Sequence, residues 1–136
     1  MAPSSDGELE ELYLRLHRLV LFSTRVLRAK FDTFYPPEQL KKWSPSDKDL
    51  KKAKLSDSQN RLIKYSDSSK FDISLLISLL RHFCYTNDKM HPLWDDVNND
   101  KIVPSLQCEI AQIVRIRNLR NKVCYFYLIA FNTKIS

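Results

Sequence analysis

Apolar residues at Leu9, Leu12, Tyr13, Leu16, Leu19, Val20, Val26, Leu27, Phe31 and Phe34 recur at helical spacing over about seven turns. Ahead of them, Ser5 and Glu8 fit a capping box, the serine hydroxyl accepting from the first turn while the glutamate reaches back. Pro36 and Pro37 predict a stop at Tyr35, because proline lacks a donor and disfavours α geometry in the residue before it. The polar stretch from 36 to 70 reads as a short helix in "PPEQLKKW", a loop with one marginal turn in "WSPSDKDLKKAKLSDSQ", and a Ser56–Gln59 capping box before Leu62, Ile63 and Tyr65. In "FDISLLISLLRHFCY", Asp72 is placed as N-cap. Apolar residues then appear on nearly every side, which predicts a central helix from Ile73 to Tyr85 surrounded by others. Thr86 to Pro104 is polar, acidic and aperiodic, a long loop pinned by Leu93 and Trp94. Ser105 is placed as the cap of the last helix. The pattern as a whole predicts an all-α bundle.

Within that last helix, steps of about 100° put Ile110 and Ile113 within about 40° of Leu106, and Arg117, Arg120 and Asn121 within about 60°. Arg115, Asn118 and Lys122 are predicted to face solvent. Two arginines and an asparagine thus extend an apolar stripe. An unpaired buried guanidinium is prohibitively costly. Either the stripe leaves the core at an interface or cleft, or acidic residues such as Glu109 or the loop aspartates meet it.

Composition narrows the function. A single glycine in 136 residues excludes a glycine-rich phosphate loop and argues against a hairpin-rich β fold. The N-terminal segment has no signal-peptide pattern, and no uncharged stretch reaches the roughly 20 residues of a membrane span. Cys84, Cys108 and Cys124, odd in number and without short paired spacing, read as reduced thiols of an intracellular, cytoplasmic protein. The net charge is +6. Lys41–Lys64 carries eight Lys/Arg against three Asp, and Glu109–Lys122 carries four against one Glu. Basic segments of this kind permit an anionic partner.

Little in the chain suggests an enzyme. His82 and Cys84 lie two apart on one helix and face nearly opposite ways. His82, Cys84, His91 and Cys108 match no common zinc spacing, so neither a metal nor a small-molecule cofactor is expected.

Three segments, "LYLRLHRLVLFSTRVLRAKFDTFYPP", "FDISLLISLLRHFC" and "EIAQIVRIRNLRNKV", together resemble the HEPN domain found in the DAZ-interacting zinc-finger ubiquitin ligase and its invertebrate relatives. The resemblance implies a single HEPN-like domain over 1–136: a long N-terminal helix, a buried central helix and a long acidic loop before the last helix. Residues 124–136 are read as a divergent or truncated end. HEPN nucleases carry an arginine separated from a histidine by four to six intervening residues. Arg120 and Asn121 match the first half, but Tyr125, Phe126 and Tyr127 occupy the histidine positions. None of these exchanges a proton near neutral pH as imidazole does. The expectation is therefore a non-catalytic module that binds RNA or a protein partner through Arg117, Arg120 and Asn121. The resemblance also implies a homodimer, or pairing with another HEPN-like protein, through the motif-bearing helices. The alternative is a metal-independent endoribonuclease using Arg120 and a histidine from elsewhere. Ubiquitin-ligase activity does not carry over, because its zinc-binding motifs are absent from this sequence.

Overall fold

A computed structural model describes residues 5–99 and 108–135; for 5, 6, 126–128 and 130–135 it describes the backbone alone. Six α-helices follow one another: α1 (Ser5–Phe34), α2 (Pro37–Lys42), α3 (Asp47–Lys52), α4 (Asp57–Lys64), α5 (Ile73–Leu79) and α6 (Glu109–Ile135). Single 3-10 turns occupy Ser68–Lys70, Thr86–Asp88 and Pro92–Asp95. The fold is all-α, with no strand among the described residues.

At its centre lies α5. Leu75, Leu76, Leu79 and Leu80 are completely buried, and each such side chain contributes about 1.5–3 kcal/mol through area removed from water. Asp72 caps the helix as expected, its carboxylate accepting from Leu75 N at 2.9 Å. The predicted helix to Tyr85 does not stay α-helical. From Leu80 to Cys84 it widens into a π-turn, closed by Tyr85 N donating to Leu80 O at 2.7 Å. Tyr35 Oη donates to the Phe83 carbonyl at the end of this turn (3.1 Å), and the Phe83 ring meets Trp43 edge-on. A hydrogen bond from the α1–α2 junction and a ring from the end of α2 thus hold the wide turn in place.

α1 and α6 pack against α5 and against each other. Lys30 pairs with Glu109 (2.8 Å), and Tyr85 Oη donates to the same carboxylate at 2.5 Å. Leu27 and Phe31 enter the core, while Arg28 donates to the carbonyls of Ser68 and Phe71. Only the second half of α1 is buried in this way. Of the predicted stripe in the first half, Leu12 and Leu19 are exposed and Leu9, Tyr13 and Leu16 only partly buried, so its apolar periodicity predicts the helix but not its full burial. The Ser5 side chain, and with it the proposed capping box, lies outside the described residues, as do Ser105 and Leu106.

The 36–70 region is more helical than its sequence predicts. Asp47–Lys52 forms a helix, its first turn capped by the Ser46 hydroxyl, which accepts from Asp49 N. The Ser56–Gln59 capping box is present with both reciprocal bonds. Lys54 ends α3 in a left-handed conformation, φ 54°, uncommon for a residue with a side chain.

Candidate phosphate-binding cleft

The sequence Ile116–Asn121, "IRNLRN", carries the dipeptide Arg-Asn twice. The two copies have different surroundings. Asn118, expected in solvent, is 1% exposed. Its Nδ2 donates to Asp96 O at 2.8 Å and to Asn99 Oδ1 at 2.6 Å. Arg117 donates to the carbonyls of Trp94 and Asp96, the latter at 3.0 Å, and to Asn118 Oδ1 from both Nε and Nη2. The reason is geometric. The Trp94–Asn99 loop lies against α6 beside the Ile110–Ile113 stripe, so a second row, Ala111, Val114 and Asn118, is buried as well. Arg115, also expected in solvent, is half-buried, whereas Lys122 is exposed. Glu109 is engaged by Lys30 and Tyr85. Arg117 is met by backbone carbonyls of the loop. Burial lowers its pKa and Arg81 adds to that, while Asp95 and Asp96 pull the other way.

The second copy faces a cleft of about 350 Å³ between α5 and α6. Arg117, Arg120 and Asn121 all line it, so the three expected site residues come together. Arg120 hydrogen-bonds Asn121 Oδ1 at 3.1 Å. Opposite them stand Ser74, Ser78, Arg81 and His82 from α5 and its π-turn, with Lys54 at the end of α3. Arg81 is steadied by Lys89 O (2.7 Å), by Asp95 (3.2 Å) and by the Trp94 ring beneath its guanidinium. No carboxylate is among the described residues that line the cleft.

Arg81, His82 and Lys54 are site residues that the sequence reading did not select. A signal for the first two was present. Ser74, Ser78 and His82 recur every fourth residue in an otherwise apolar helix, with Arg81 beside them, which places one polar row along α5. Nothing in the sequence around Lys54 marks it out from neighbouring lysines.

Among the described residues that line the cleft, His82 is the one histidine. Its pKa is lowered, first by burial and then by Arg81 and Lys89, which keeps the imidazole neutral at pH 7 and able to accept a proton. His91 caps the Pro92–Asp95 turn through Nδ1, which accepts from Leu93 N. The Cys84 thiol is pushed up to about 12 by burial, so it is protonated and a poor nucleophile. Of the residues at the missing histidine positions, Tyr125 is 65% exposed, and the side chains of Phe126 and Tyr127 lie outside the described residues. Among the described residues, no three His, Cys, Asp or Glu side chains gather where a metal could bind, and no helix is long and apolar enough to cross a membrane.

An all-α helical bundle of this kind is the fold expected of a HEPN domain. The family model for the DZIP3/hRUL138-like HEPN domain matches residues 25–127, and the chain belongs to that family. No curated protein and no solved structure matches it.

Proposed function

We propose that this HEPN domain is a non-catalytic interaction module that binds RNA, with Arg120 and Asn121 presenting donors to phosphate and Arg117 contributing charge from the cleft wall. One observation carries this reading: four cationic side chains, Lys54, Arg81, Arg117 and Arg120, converge on one cleft with no carboxylate among the described residues of its lining. Charge-assisted bonds from guanidinium to phosphate are about twice as strong as neutral ones. The test is titration of single-stranded RNA at low and moderate salt. The expected result is binding that weakens with salt at a log-log slope of about −0.7 per phosphate neutralised and that Arg120→Ala reduces. Absence of binding at low salt would sink the RNA reading and turn the cleft toward a protein partner, a second HEPN-like chain included.

A second reading, a metal-independent endoribonuclease, is favoured by a single feature: His82 lines the same cleft as Arg120. A neutral imidazole there could take the proton of a ribose 2′-hydroxyl while Arg120 stabilises phosphate charge. Against it stand Tyr125, Phe126 and Tyr127 in place of the motif histidine. The expected outcome of an RNase assay on purified protein is no cleavage. Cleavage lost in both Arg120→Ala and His82→Gln would establish this second reading, because a contaminating nuclease is indifferent to either change.

A further inference from the structure

We infer that the cleft takes the terminal phosphomonoester of an RNA strand, in preference to an internal phosphodiester, with Lys54 and Arg120 as its two counter-charges. The inference rests on the RNA reading above and narrows it to strand ends.

Charge compensation is the first argument. Of the four cationic side chains in the lining, Arg81 already has the Asp95 carboxylate at 3.2 Å. Arg117 sits in the field of Asp95 and Asp96 and donates to two loop carbonyls. Lys54 and Arg120 have no carboxylate partner among the described residues. Two uncompensated positive charges match a dianion. An internal diester carries one negative charge, whereas a monoester approaches two above its second pKa near 6.

The donor inventory points the same way. Arg120 uses one of its five N–H groups on Asn121, and an ammonium offers three more. The Ser74 and Ser78 hydroxyls face the same space. Three terminal oxygens make fuller use of that set than the two free oxygens of a diester.

The surroundings favour a nucleic-acid strand over a phosphorylated peptide. A second pocket of about 420 Å³ is lined by Lys41, Lys42 and Lys64, with Asp47 the one carboxylate among the described lining residues. The two pockets share the α3 segment: Leu50 lines this one, and Ala53, one turn further along, lines the cleft. A strand whose end occupied the cleft would find further cations for its next phosphates there. A peptide with one phosphate would not use them.

The experiment compares RNA decamers of one sequence carrying a 5′-phosphate, a 3′-phosphate or hydroxyl ends, alongside a phosphoserine peptide, by fluorescence anisotropy. The expected result is at least tenfold tighter binding of a phosphorylated decamer than of the hydroxyl-ended one. That preference should shrink below about pH 6, where the monoester takes up its second proton. Arg120→Gln and Lys54→Gln should each erase it, with unchanged circular dichroism. Equal binding of all three decamers would overturn the inference while leaving the RNA reading intact. Binding of none of them would overturn the RNA reading itself. A preference that survives both substitutions would place the phosphate elsewhere, and a phosphopeptide bound as tightly as the best decamer would make the ligand a phosphoprotein.

Discussion

Arg117-Asn118 and Arg120-Asn121 are the same dipeptide, three residues apart on one helix, and they are put to opposite uses. The first pair is closed. Every hydrogen-bonding atom of the Asn118 side chain has a partner, and Arg117 bridges α6 to the carbonyls of Trp94 and Asp96. The second pair is open, with one bond between its own members and the rest turned to a cleft. Rotation alone separates them: three residues turn an ideal helix by about 300°, enough to move a side chain from beneath the loop to its rim. Arginine on an apolar stripe therefore has two solutions in this molecule. One surrounds the guanidinium with carbonyls, and the other keeps it at the edge of water.

The largest effect is expected at the closed pair. Asn118→Leu removes four bonds, takes the partner from Arg117 Nε and leaves the Asp96 carbonyl with the Arg117 Nη2 bond alone. Unsatisfied buried groups cost about 1–3 kcal/mol each, more where a charge is involved, so a loss of about 2–4 kcal/mol is expected in urea unfolding. Arg117→Ala should fall in the same range. If either variant is as stable as the parent, the network does not hold the loop to α6. Arg120→Ala should behave oppositely. Its stability should stay within about 0.5 kcal/mol of the parent, as for surface changes generally, while RNA affinity falls about tenfold, the loss of one charge-assisted bond. A destabilised Arg120→Ala with intact affinity would reverse the roles assigned to the two pairs.

Most of the frame was legible because it rests on local rules. The prolines after α1, the aspartate before α5 and the Ser56–Gln59 box each act through backbone donors within one turn, and each is where the sequence places it. The errors share a different origin. Periodicity counted from one reference residue puts Asn118 in solvent, because it cannot tell how many neighbours a helix has. The first half of α1 shows the converse, since an apolar pattern does not supply a partner. The π-turn at Leu80–Cys84 depends on contacts from Tyr35 and Trp43, about 40 residues away in sequence. In the cleft, the α6 contribution was readable from the stripe, and the α5 polar row was present but overshadowed by its leucines. Lys54 required the turn after α3, which only the assembled chain defines.

The smallest expected effect is a pH dependence, and it tests whether His82 belongs to the open site. Its folded-state pKa lies below the ordinary 6.5 because burial, Arg81 and Lys89 disfavour the imidazolium. The unfolded chain therefore binds this proton first as the pH falls. By linkage, the stability contributed by neutral His82 is fully present above about pH 6.5 and is lost on descending through the folded value. His82→Gln should flatten that part of the stability–pH profile and leave the region above pH 7 unchanged. The half-exposed position keeps the effect modest through solvent screening. An anion in the cleft should act in the opposite direction, because negative charge beside the ring favours its protonated form. Following the His82 ring protons by NMR with and without a phosphorylated RNA end should thus show the titration midpoint moving upward on binding. A midpoint that stays put in the presence of saturating RNA would remove His82 from the site, and the case for cleavage in this cleft would go with it.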